Sequence, residues 1–170
     1  MCYLFRFVFA CSAVFPVAAA YISDIASETN FELSGRVNIT KVSDGDSFQS
    51  GDLRIRLFGI DAPELKQQCT DQNGALWDCG TAAQQQLTAL IGENKELHCN
   101  LRDVDRYGRL IMQCFISSID IGAAMVQSGY ALAYRHFSDV YIADEEQAKT
   151  ALKGVWRGTF STPWEWRRQN

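Results

Sequence analysis

The chain has 170 residues, 47% of them hydrophobic and 21% charged, which is enough for one domain with a core that needs neither metal nor crosslink to hold it. With 16 Lys and Arg against 20 Asp and Glu, its formal net charge is −4. No global positive field draws in polyanions, so any nucleic-acid role must rest on a local site.

Residues 1–20, "MCYLFRFVFACSAVFPVAAA", carry Arg6, then an apolar run closing on "VAAA". Ala18 and Ala20 fit a small-x-small cleavage pattern, and the run is shorter than the roughly 20 residues of a membrane span. A cleaved secretory signal is the expectation, an uncleaved anchor the alternative. Cleavage removes Arg6 and no acid, and it leaves Cys69, Cys79, Cys99 and Cys114. Four cysteines in a secreted or periplasmic protein point to two disulfides, for which three pairings exist. Cys69 with Cys79, clipping the loop "CTDQNGALWDC", and Cys99 with Cys114, on two hairpin strands, are favoured. A zinc site is disfavoured, since no C-x-x-C spacing occurs and both histidines lie away from any cysteine cluster.

A polar leader at 21–33 precedes the domain, 34–170. "GRVNITKVSDGDSF" (35–48) alternates Val37, Ile39 and then Val42 as a strand broken near "SDGDS", where Asp-Gly marks a turn or bulge. "LRIRLFGI" (53–60) places Leu53, Ile55 and Leu57 on one face and Arg54, Arg56 and Phe58 on the other. A polar loop fills 66–80. Ala82, Leu87, Leu90 and Ile91 predict a helix over 81–92, stopped at Gly92. "KELHCNL" and "RLIMQCFI" flank "RDVDRYG" as a strand pair with a charged turn. A second helix spans 120–130, capped by Asp120 and ended by Gly129, and a third runs from about Ser138 or Ala143 to Gly154. The class is α+β, a small β-barrel with packed helices. In the tail, Trp164 and Trp166 beside Arg167 and Arg168 read as tryptophans packing on the barrel, with base stacking the alternative. His98 and His136 read as surface or boundary positions, Arg54 as a solvated bystander, and Asp103 and Asp105 as turn-shaping residues.

Three segments hold the polar residues of interest: "DGDS" (44–47), "RLFGIDAPE" (56–64) and "DRYGR" (105–109). Each passes singly as a turn or a strand exit, and "DGD" lacks the register of an EF-hand loop. Together they supply hard oxygens on Asp46 and Asp61, a carboxylate on Glu64, and planar forks on Arg56 and Arg109. Carboxylate oxygens suit calcium or magnesium, and guanidinium forks suit phosphate. A divalent cation, two arginines and a carboxylate base meet the needs of phosphodiester hydrolysis.

The ordered set "DGDS", "RIRLFGIDAPE", "DRYGR", "GYA" and "GVW", over roughly residues 34–157, resembles the staphylococcal nuclease family. The resemblance implies an OB-fold five-stranded β-barrel with about three packed helices. It implies Ca2+ held by Asp46, Asp61 and the carbonyl of Ala62, with Asp44 as the outer acid of that turn. Arg56 and Arg109 then match the catalytic arginines and Glu64 the general base. Arg106, Tyr107 and Tyr134 fall near the bound nucleotide. The implied substrates are DNA and RNA, cut by water to leave 3'-phosphates; separately, the chain is expected to be a monomer with no stable membrane association once processed. Two departures stand out: the chain is acidic where the best-known member is basic, and Ser47 replaces the usual Thr. The rivals are a non-catalytic OB-fold module that binds nucleic acid or peptide, and a phosphodiesterase for small nucleotides.

Overall fold

The computed structural model describes residues 34–93 and 96–170; the signal-like segment and leader read at 1–33 lie outside the described residues. In chain order come β1 (Ser34–Asn38), β2 (Lys41–Val42), β3 (Ser47–Ser50), β4 (Leu53–Leu57), β5 (Ile60–Asp61), β6 (Cys69–Thr70), β7 (Leu76–Trp77), α1 (Cys79–Ile91), β8 (Glu96–Val104), β9 (Leu110–Ile116), β10 (Ile119–Asp120), α2 (Ile121–Gln127), β11 (Leu132–Ala133), α3 (Ile142–Thr150), a short 3-10 helix (Gly154–Arg157) and α4 (Pro163–Gln169). The main sheet runs β1-β8-β9-β4-β3-β2, with β10 added beside β9, and it curls as an OB-fold does. Every pairing in it is antiparallel except β4 with β9, which lie parallel with Ile55 facing Leu110 and Arg56 facing Ile111.

The core follows from the alternation. Phe48, Ile55, Leu57, Leu97 and Met112 point inward from the sheet. They meet Ala83, Leu87 and Ile91, spaced four apart on one face of α1, and Ile121, Met125 and Val126 of α2. Asp120 caps α2 as expected, accepting the Ala123 N–H at 3.2 Å, and it also receives the hydroxyl of buried Tyr141 at 2.9 Å. A second, smaller cluster joins the Cys69–Cys79 disulfide, Leu132 and Val155 with Trp77, Trp156, Phe160 and Trp164. The other disulfide links Cys99 to Cys114, which face each other across β8 and β9. Both favoured pairings are the ones formed.

Several local expectations change. The strand expected over 35–48 is three short strands, because two turns interrupt it. Residues 66–80 hold a two-stranded ribbon, β6 with β7, closed by Asp71, whose side chain accepts the N–H groups of Asn73 and Ala75. Helix α1 starts at Cys79 rather than Thr81. Leu53 is exposed, since it sits where β4 leaves the core. The tail is not mere packing: it forms a fourth helix, α4, started by a capping box between Thr162 and Glu165 with Pro163 at the first helical position.

Removing the Cys69–Cys79 bridge by a double change to alanine releases a clip between residues ten apart. The expected loss is about 2–3 kcal/mol of unfolding free energy, read as a lower midpoint in urea. An unchanged midpoint would show that the ribbon and the tail already constrain this loop.

Candidate active site

The turn before β3 and the strand β5 bring Asp46 and Asp61 together. Asp44 builds the turn: its carboxylate accepts the Asp46 N–H at 3.1 Å and the Ser47 hydroxyl at 2.7 Å. Helix α1 clamps it from behind, with Gln84 donating to the carbonyls of Val42 and Ser43 at 3.1 Å each. Gly45 is required by space, because a Cβ there would lie 2.7 Å from the Ala83 side chain and 2.8 Å from that of Ala62. The Asp46 carboxylate, 3% exposed, then points inward and accepts the Ala62 N–H at 2.9 Å.

Arg56 joins the two acids. It faces Ser47 across β3 and β4, and its Nη2 lies 2.5 Å from Asp61 Oδ1 and 3.1 Å from Asp46 Oδ2. Asp61 is wholly buried, held by the pairing of β5 with β11. Burial pushes the Asp46 carboxyl up to about 8; Arg56 and the Ala62 N–H oppose that rise, while Asp44 and Asp61 add to it. Once both are ionised, the two buried carboxylates outnumber the one guanidinium between them, and their oxygens are hard donors. No cluster of three or more His, Cys, Asp and Glu side chains with metal-ligand geometry occurs among the described residues. A divalent ion held here would therefore draw on Asp46, Asp61, the carbonyl of Ala62 and water, an oxygen set that fits calcium or magnesium.

Glu64 stands beside Asp61 on a loop pressed against the start of α1. A Cβ on Gly80 would fall 1.7 Å from the Glu64 carbonyl oxygen, so that glycine lets the loop and the helix touch. Gln67, fully buried, accepts the Glu64 N–H at 3.2 Å and donates to the Ser161 carbonyl at 2.6 Å. The loop carrying Glu64 is thus tied to the tail.

That tie leads to a residue the sequence placed beside the tail tryptophans but not with the central acids. Arg167, on α4, donates from Nη1 to Asp61 Oδ1 at 3.0 Å and to Glu64 Oε1 at 2.7 Å, and from Nη2 to Asp61 Oδ2 at 2.8 Å. The signal that locates its helix is "TPWE", a capping box with proline at the first position. No sequence pattern aims the arginine at Asp61, 106 positions earlier.

Arg109 lies apart from this group. Its Nε donates to Asp105 at 2.7 Å, and no hydrogen bond or ion pair among the described residues links it to Asp46, Asp61 or Glu64. It precedes Leu110, so two-fold alternation puts it on the sheet face that carries Arg56. Asp105 organises the turn, accepting the N–H groups of Tyr107 and Arg109 at 2.9 Å each. Arg106 and Arg109 both lie over the exposed ring of Tyr107. Arg54 is no bystander, for its guanidinium donates to the Tyr107 carbonyl and binds this turn to β4.

Tyr134 borders the other side of β5, with its N–H on the Gly59 carbonyl at 2.9 Å. Its ring stacks on Trp164 at 5.6 Å and 10°. Ala133, Arg135, His136 and Arg168 complete an open crater of about 540 Å³ around them. Buried Glu145 of α3 fixes that wall, accepting the Ala133 N–H at 3.1 Å and pairing with Arg135 at 2.6 Å and Lys149 at 3.0 Å.

Residues 54–158, which include Arg56, Asp61, Glu64 and Arg109, match the sequence profile described as "Staphylococcal nuclease homologue". The chain belongs to the staphylococcal nuclease family. It is 31% identical over 118 residues to succinoglycan biosynthesis protein ExoI of Rhizobium meliloti, covering 68% of this chain and 62% of that one. It is likewise 31% identical over 118 residues to probable staphylococcal-like nuclease CAN3 of Oryza sativa, covering 68% of this chain and 28% of the rice protein. A micrococcal nuclease of Shigella flexneri is 29% identical over 177 residues, 94% of each chain. The chain thus spans less than two thirds of the first two relatives and nearly all of the third.

The raised Asp46 carboxyl sets a pH dependence for this family member when it is free of metal. A folded value near 8 against 3.8 in the unfolded chain means that its stabilising contribution is complete below about pH 4 and lost as pH rises through about 8. With chelator present, melting temperature should therefore fall with pH more steeply in the parent than in Asp46→Asn. Equal slopes between pH 5 and 9 would mean that Asp46 is ionised in the folded state.

Proposed function

We propose that this chain is an exported, calcium-dependent nuclease that hydrolyses DNA, RNA or both to 3'-phosphate products. The observation that carries the reading is the buried pair of Asp46 and Asp61 around Arg56, with Glu64 alongside. Family membership supports it, and the micrococcal nuclease over nearly the whole chain supports it further. Two disulfides accord with a secreted or periplasmic setting. Among the described residues no helix is long and apolar enough to cross a membrane.

In this reading Asp46, Asp61 and the Ala62 carbonyl hold the cation, which when bound supplies positive charge beside the scissile phosphate. Arg56 donates to a non-bridging phosphate oxygen, and Arg109, swung from Asp105, donates to another, so the charge gathering on phosphorus is met by preorganised donors. Glu64 accepts the proton of the attacking water as its oxygen bonds to phosphorus. The bond from phosphorus to the 5'-oxygen breaks, and that oxygen leaves with a proton from solvent. Arg106 and Tyr107 flank the strand on one side. Tyr134 and the crater beside it offer an aromatic wall to a base on the other, and Arg168 an added cation. In an acidic chain these local cations carry the attraction for the polymer, so binding should weaken steeply with salt.

A non-catalytic binding module has one observation in its favour, the seat of Arg167 on Asp61 and Glu64. Labelled DNA and RNA incubated with the protein in calcium, magnesium or chelator separate the two readings. The enzyme cuts with metal and leaves 3'-phosphates; the module retards the strand and leaves it whole.

Glu64→Gln should lower turnover on single-stranded DNA by a factor of at least ~100 while the melting temperature holds. Equal turnover in calcium would remove Glu64 from the base role. Arg109→Ala should lower affinity and rate together, by roughly 10- to 1000-fold in rate; a rate unmoved by this change would place the phosphate elsewhere.

A further inference from the structure

Among the described residues, Arg167 is the one guanidinium in contact with the central acids that neither the sequence motifs nor the proposed chemistry uses. It touches both groups that must act on other partners, Asp61 and Glu64. Each oxygen of the fully buried Asp61 is engaged, one by Arg167 alone and the other by Arg167 together with Arg56. A cation on Asp61 must compete with that fork, and a water on Glu64 must compete with Nη1.

We propose that Arg167 is a tethered counter-ion for the cation site, holding Asp61 and Glu64 until a divalent ion displaces it. This rests on the reading of Asp46 and Asp61 as the cation's carboxylates. Three observations carry it. Formal charge comes first: with all three acids ionised, as a bound cation requires of Asp46, the acids Asp46, Asp61 and Glu64 against Arg56 and Arg167 leave one negative charge. A dication added with Arg167 seated turns the cluster positive, whereas with Arg167 withdrawn the cluster is neutral, so seating and loading oppose each other. The second is mechanical. Helix α4 is secured without the guanidinium, by its capping box, by buried Pro163, by Trp164 on Tyr134 and by Gln67 on the Ser161 carbonyl. Releasing Arg167 therefore asks only for a side-chain rotation. The third is access: the Arg167 side chain is 35% exposed and Glu64 30%, so the arginine has a path to water that buried Asp61 lacks.

The consequence is a positioning residue that keeps the metal-free acids in place and sets how much cation is needed to load them. A purely structural arginine acts in the opposite sense, since its loss frees Asp61 to move and weakens cation binding.

The test is calorimetric titration of calcium into the chelator-stripped protein, in the absence of substrate. Arg167→Gln should bind calcium about tenfold more tightly or better, the equivalent of one charge-assisted hydrogen bond no longer opposing the ion. Arg167→Lys, whose ammonium cannot fork two carboxylates, should fall between them and serves if the glutamine variant does not fold. Asp61→Asn should abolish the binding in each background. Calcium affinity unchanged or weakened in both Arg167 variants, with Asp61→Asn still abolishing it, overturns the counter-ion role and leaves the cation site standing. Binding absent from parent and variants alike, or surviving Asp61→Asn, overturns the cation site and the counter-ion role together.

Discussion

One guanidinium between two buried carboxylates organises everything near the site. Arg56 meets Asp46 and Asp61 from two separate turns of chain, and among the described residues it is the most deeply buried cation paired with either acid. Burying an unpaired charge costs several kcal/mol, so the triad stands or falls as a unit. The fold has to bring β3, β4 and β5 to one point for the triad to exist. With both acids ionised, the same geometry leaves a surplus of negative charge beside Glu64. That surplus is what a cation, or another guanidinium, is drawn to.

The structure meets the surplus from an unexpected quarter. Helix α4 lies against the site through Trp164 and Tyr134 and extends Arg167 onto Asp61 and Glu64. Gln67 ties the Glu64 loop to the backbone just before that helix, and the Cys69–Cys79 bridge and Val155 support the same corner. The tail is thus part of the site's wall. On the other flank, Asp105 holds Arg109 and the Tyr107 turn, while Arg54 pins that turn to the sheet. Arg56 and Arg167 meet Asp46, Asp61 and Glu64, and Arg109 meets Asp105, so a chain of net charge −4 still carries local positive charge beside its central acids.

What the residues determined by themselves was local and periodic. Two-fold alternation put Arg54 and Arg56 on the face opposite Ile55 and Leu57, Asp120 and Gly129 bracketed α2, and the cysteine count with the hairpin pattern led to the two bridges that form. The ordered motifs carried the family and its OB-fold, because "RLFGIDAPE" and "DRYGR" are long enough to be specific. Tertiary structure alone decided the rest. The parallel pairing of β4 with β9 joins segments with no adjacency in sequence, and it sets Arg109 on the face of Arg56 without putting it in contact with the aspartates. Arg167 reaches Asp61 across 106 positions. A side chain's partner over such a distance depends on how helices and strands pack, and packing depends on the whole core, so no short stretch of sequence encodes it.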